Sequence, residues 1–151
     1  EPFALSRSGK VIALDASQRS EIEQQLLRKP LFLLRARAGL KAAYSGSGKV
    51  GDTPVELVTF ELAAVPATLA LDAKTGNLLS LTYQRRGPQG NFGEFSQTFS
   101  DFRTVDGVTL PFKITATFDG KPWKDQSTSI EAVTLNEALD ANLFTKPKQA
   151  P

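Results

Sequence analysis

Two periods divide the chain. Leu79, Leu81 and Tyr83 alternate with Ser80, Thr82 and Gln84, while Leu110, Phe112, Ile114, Ala116 and Phe118 alternate with Thr109, Pro111, Lys113, Thr115 and Thr117. A period of two gives one apolar and one polar face, so both stretches are predicted strands. Less regular strands are predicted at 10–14, 41–47, 54–62, 68–71, 94–104 and 127–136. Turn chemistry separates the later ones, at Gly51-Asp52, 72–76, 87–90, Asp106-Gly107 and Asp119-Gly120. Consecutive strands with such short connections pair antiparallel, as a meander. Pro111 cannot donate to a central ladder and is expected at an edge or a bulge.

Between Asp15 and Gly39 the period is helical. Ser17 and Ser20 offer caps, and Ser20 with Glu23 matches the capping box, in which hydroxyl and carboxylate satisfy the first free backbone donors. Ile22, Leu26 and Leu27 fall on one stripe, with acids leading and bases trailing as the helix dipole prefers. Pro30 disfavours helical geometry at Lys29 but fits the first turn of a new helix, which Gly39 would end. The segment 17–38 is thus a broken helix with an apolar face, and the break is a candidate hinge.

One helical segment beside at least seven antiparallel strands predicts an α+β fold, with the apolar sheet face closed onto the helix. A long antiparallel sheet twists and curls, so the expected form is a curved, unclosed half-barrel wrapped around the helical segment. The 151 residues fit one domain, 1–147, followed by a frayed tail at 148–151. No Met occurs, even at position 1, which fits a mature or excised segment of a longer protein.

Composition narrows the chemistry. There is no His and no Cys, which excludes a Ser-His-Asp or Cys-His catalytic site, a His or Cys zinc site, an iron–sulfur cluster and a redox Cys pair. No motif signals the remaining carboxylate-only, Ser-Lys or all-oxygen metal chemistries, so the chain is expected to be non-catalytic, without cofactor or metal. The most apolar stretch, 26–40, is broken by Arg28, Lys29, Pro30, Arg35 and Arg37 and is too short and too charged to span a membrane. A net charge of +2 gives no nucleic-acid footprint.

Four local patterns have a functional and a plainer reading. Gly46-Ser47-Gly48-Lys49 resembles the end of a phosphate loop, but Ala43 and Val50 stand where that loop needs Gly and a hydroxyl; a glycine-rich hairpin turn is expected instead. Arg35, Arg37 and Lys41, and the pair Arg85-Arg86, are placed on a solvated helix face and strand end rather than on phosphate or anionic lipid. Asp101 and Asp106 flank Arg103 as charges of a strand end and turn rather than as a catalytic carboxylate pair. The ten Phe residues are mostly in the sheet region, and alternation cannot place Phe95 and Phe99 on one face with Phe102. Aromatic surface on both sides of that strand leaves two readings open, ordinary core and a lipid-accommodating cavity.

The stretch Ser100-Asp101-Phe102-Arg103-Thr104-Val105-Asp106-Gly107-Val108-Thr109-Leu110-Pro111-Phe112-Lys113-Ile114 resembles a recurrent signature of bacterial envelope domains related to the lipoprotein-sorting carriers. Val133 to Asn136, followed by Asp140, Leu143, Phe144 and Pro147, resembles their closing motif. Leu71-Asp72-Ala73-Lys74-Thr75-Gly76, before Leu78-Leu79, resembles the hairpin upstream. The likeness implies an open antiparallel barrel with helices plugging its mouth and, in the carriers, a hydrophobic cavity for lipoprotein acyl chains in the periplasm. Such domains are also similar to segments downstream of insulinase-like zinc peptidase domains. Ahead of Lys10 the chain lacks the long first helix and several early strands of the full carrier pattern. An open edge near the first strand would then invite a second copy or an upstream domain.

These readings converge on a non-catalytic periplasmic or cell-envelope domain that binds a lipid or lipoprotein acyl chain between helix and sheet. The lining residues would be Ile22, Leu26, Leu27, Leu31 and Leu34 from the helix, with Leu79, Leu81, Tyr83, Phe112, Ile114 and Phe118 from the sheet. The alternative is an accessory or protein-interaction domain of a larger envelope protein, such as an insulinase-like peptidase.

Overall fold

The computed structural model describes residues 3–6, 10–19, 22, 41–62, 65–87, 89–140, 142, 145 and 147. Ten strands are found among them: β1 (Phe3–Leu5), β2 (Val11–Ala13), β3 (Ala42–Val50), β4 (Thr53–Leu62), β5 (Val65–Asp72), β6 (Leu78–Arg86), β7 (Phe92–Val105), β8 (Val108–Phe118), β9 (Lys121–Pro122) and β10 (Thr128–Ser129). β1 and β2 form a small antiparallel pair; the other eight form one antiparallel sheet in the order β10-β8-β7-β6-β5-β4-β3, with β9 also on β8. β3 and β10 stand at opposite ends of this path and do not pair, so the sheet is not a closed barrel. The fold described is thus mostly antiparallel sheet with one short helix.

The expected meander follows from its turns. Asp106 and Gly107 have φ of 47° and 79°, and Asp119 and Gly120 have φ of 48° and 75°. Positive φ at both central residues is the two-residue hairpin geometry whose twist matches the flanking strands. The Gly46 to Lys49 segment is not the turn expected from its glycines: it runs inside β3 and pairs with β4, with a bulge between Tyr44 and Gly46. The actual turn is Gly51-Asp52. The strand expected at 127–136 shortens to Thr128–Ser129 against Ile114 and Lys113. Ile130 still donates its N–H to the Phe112 carbonyl, but the chain beyond runs without strand pairing.

Helix begins earlier than the Ser20 capping box implies. Residues 16–19 are helical, because Asp15 Oδ1 accepts the Gln18 N–H at 2.8 Å while Gln18 Oε1 accepts the Asp15 N–H at 3.0 Å. This reciprocal pair satisfies two otherwise free donors at the helix start. The Ser20–Glu23 box, the Lys29-Pro30 hinge and the packing of segment 17–38 lie outside the described residues, apart from 17–19 and Ile22, so the helical half of the α+β expectation is seen only at its start. Pro111 pairs with Phe102 of β7, in the part of β8 that β9 and β10 do not reach among the described residues.

Candidate hydrophobic-ligand surface

Cross-strand partners share a sheet face, and the register builds one apolar row across five strands: Phe60, Ala67, Tyr83, Phe95 and Phe118. All five are buried. Beside it runs a second row, Val58, Leu69, Leu81, Gln97 and Ala116, and then the pair Phe99 and Ile114. The intervening residues point the other way and form a row of hydroxyls, Thr59, Thr68, Thr82, Ser96 and Thr117, in which the Thr82 and Ser96 hydroxyls lie 3.0 Å apart. Across these rows the sheet is two-faced, hydrocarbon on one side and hydroxyl on the other; further along β4 and β5 the hydroxyl side turns apolar, where Val55 and Ala70 are buried.

Leu81, Tyr83 and Phe118 belong to the main core cluster with Phe60, Ala67, Phe95, Phe99 and Ala116, and Ile114 packs against it. Leu81 is 0% exposed. Phe112 is buried with Leu110 further along β8, outside that cluster. Leu79 is half-buried and stands at a register shift, since Ala70 faces Ser80 but Leu71 faces Leu78. Leu78, which alternation alone does not select, packs against the core instead. Ile22 is 41% exposed; Leu26, Leu27, Leu31 and Leu34 lie outside the described residues. Phe102 also packs against the core cluster, contrary to strict alternation: Asp101 between Phe99 and Phe102 takes a left-handed φ of 54°, which interrupts the period of two.

Two side chains, Trp123, which sequence reasoning passed over, and Arg85, which it placed on a solvated strand end, close the β8 end of the apolar row. Trp123 meets Phe95 and Phe118 edge-on, with ring centres 5.7 and 5.8 Å away. Tyr83 meets Phe95 in the same way at 5.3 Å. Arg85 is not a solvated strand-end charge; its half-buried guanidinium lies over the rings of Phe95 and Trp123, at 5.1 and 5.3 Å from their centres. Cation–π attraction and the apolar stem let a charge cover aromatic surface there. Arg86 lies over Phe92 and donates to the Gly90 carbonyl at 3.0 Å. A lone Trp and a dibasic pair carry no periodic signal, and only the hairpin that folds β9 onto β8 brings them together.

Electrically the surface is quiet. No described polar or charged residue is buried, and the resolved pKa shifts belong to groups at the margins. The hydrogen bonds of Arg103 hold the Asp101 carboxyl below the usual carboxylate range, through contacts of 2.6 and 3.1 Å. Asp106 is in the neighbouring turn, and no catalytic carboxylate pair forms. Backbone N–H groups of Thr75 and Lys74 likewise lower Asp72, while a hydrogen bond to Glu56 raises the Tyr44 phenol. Arg103 also sits 4.3 Å from the centre of the Phe112 ring, capping the far end of the apolar strand. Such a face can bind hydrocarbon.

None of the family models or curated proteins compared with the chain matches it. A crystal structure of a Vibrio parahaemolyticus domain, provisionally named an outer membrane lipoprotein-sorting protein domain, is similar in fold with a TM-score of 0.50 and 13% identity. The match covers 70% of this chain and 46% of that one. The chain thus shares the fold of a lipoprotein-sorting-like domain while spanning less than half of its length.

Proposed function

We propose that this chain is a non-catalytic binding domain of the bacterial cell envelope, acting in the periplasm, and that it holds an acyl chain of a lipid or lipoprotein against the apolar face of its sheet. The observation that carries this reading is the uninterrupted row from Phe60 to Phe118 on an unclosed sheet. The fold shared with the lipoprotein-sorting domain supports the same class of ligand. The ligand would lie between the sheet residues Leu79, Leu81, Tyr83, Phe112, Ile114 and Phe118 and the helical stripe of Ile22, Leu26, Leu27, Leu31 and Leu34. Each CH₂ taken from water contributes about 0.8 kcal/mol, so binding needs no polar anchor.

A second reading, an accessory or docking domain of a larger envelope protein, is favoured by the near-complete burial of Leu81, Phe95 and Phe99. Those residues then simply form a solid core. Titration with a fluorescent fatty acid separates the two. A charge at the fully buried Leu81 would unfold the domain, so Leu69→Lys and Ile114→Lys, at half-buried positions packed on the core, are the informative variants. Saturable binding by the parent domain, weakened in both variants while circular dichroism stays unchanged, supports the carrier reading. Absence of saturable binding, or binding indifferent to both charges, leaves the accessory reading.

A further inference from the structure

At the β8 end of the first apolar row, the loop between β6 and β7 faces the hairpin between β8 and β9 across a cavity of about 200 Å³. Its lining is unlike the hydrocarbon face. Phe118, Pro122 and Trp123 supply apolar walls, while Gln89, Asn91, Asp119 and Lys121 supply polar groups. We propose that this cleft is a second binding site, for a single pyranose ring of a glycan.

Three features of the cleft lead to that ligand. Its aromatic wall is built to stay in place: the Trp123 backbone N–H donates to the Ala116 carbonyl at 2.8 Å, the Trp123 carbonyl accepts the Ser127 hydroxyl at 3.1 Å, and its ring is held edge-on by Phe95 and Phe118. Arg85 already lies over the Trp123 ring at 5.3 Å; the aromatic surface that Trp123 and Phe118 turn to the cleft is electron-rich and receives the weakly positive C–H groups on one side of a sugar ring. The polar groups are available: among the described residues the side chains of Gln89, Asn91 and Lys121 have no hydrogen-bond or ion-pair partner, and Asp119 uses only Oδ1, accepting the Glu94 N–H at 2.8 Å. Two amides, an ammonium and one carboxylate oxygen offer donors and acceptors together, as vicinal hydroxyls require.

Other ligands fit less well. The volume falls below the roughly 300–1,000 Å³ of sites for drug-sized ligands, which suits one ring and not an acyl chain. One lysine opposite one aspartate disfavours a phosphate, and a single carboxylate is too few for a divalent cation.

Trp123 is the only tryptophan of the chain and lines the cleft, so its fluorescence responds to a ligand bound there. The test titrates the intact domain with a trimer of N-acetylglucosamine, a trimer of galacturonic acid and methyl glucoside, using sorbitol as the acyclic control. At least one of the three sugars is expected to change the Trp123 emission saturably. Asn91→Ala and Gln89→Ala should each weaken that binding about fivefold, the loss of one neutral hydrogen bond, with circular dichroism unchanged. No saturable response to any sugar up to millimolar concentration, an equal response to sorbitol, or binding unaltered in both variants would overturn the proposal.

Discussion

The ring of Phe118 lies so close over Gly87 that a Cβ atom there would come within 2.5 Å of its Cε1 and Cζ atoms. Gly93 bears the same relation to that ring, at 2.6 Å from Cζ. The β6–β7 loop and the start of β7 therefore approach Phe118 at two points where only hydrogen fits. Gly87→Ala is expected to displace the ring and with it Trp123, costing about 1–3 kcal/mol as an overpacked site. Urea unfolding followed by Trp123 emission measures both effects. An unchanged midpoint and an unchanged native spectrum would refute the close packing.

Ser127 ties the strand end to the tryptophan turn. Its hydroxyl accepts the Ala116 N–H at 3.0 Å and donates to the Trp123 carbonyl at 3.1 Å. Ser127→Ala leaves the Ala116 N–H without this acceptor and is expected to cost about 1 kcal/mol. It should also weaken the near-ultraviolet circular dichroism of Trp123, and Ser127→Thr, which keeps a hydroxyl, should restore most of both. A Ser127→Ala domain as stable as its parent would show that the clip contributes nothing.

The Asp101–Arg103 pair gives stability a pH dependence of known sign. Arg103 lowers the Asp101 pKa in the folded state, so the unfolded chain takes up that proton more readily. The contribution is present above the ordinary carboxylate range and is lost as pH falls through the lowered value. Asp101→Asn keeps a side chain that tolerates the left-handed φ of 54° and removes only the charge. The parent should be the more stable at neutral pH, with the gap closing in acid and shrinking in high salt. A gap independent of pH would assign the effect to backbone geometry instead.

The legible parts of this fold were those governed by local rules. The Asp-Gly pairs at 106 and 119 announced their hairpins because few other residues accept positive φ at both central positions, and the alternation from Leu110 to Phe118 survived intact in β8. The misread parts depend on partners distant in sequence. Glycines at 46 and 48 suggested a turn, yet Leu57 and Val55 of β4 pack over Gly48 and keep it in a strand. The bulge that favours Leu78 over Leu79 is set by β5. Residues 127–136 have the composition of a strand, but only Thr128 and Ser129 pair with β8 as a strand. Within the candidate surface, the row residues were visible by period, whereas Trp123 and Arg85 were not, since their roles arise where two hairpins meet.

The central claim, that hydrocarbon binds the face carrying Phe60 to Phe118 and not the hydroxyl face, is tested most directly by paramagnetic broadening. Methyl-labelled domain would be mixed with doxyl-labelled stearic acid, and methyl resonances followed by NMR. Leu69, Leu81 and Ile114 should broaden strongly, while the methyls of Thr68, Thr82 and Thr117 on the opposite face should remain sharp. No broadening of the leucine and isoleucine methyls, or equal broadening on both faces, would contradict it.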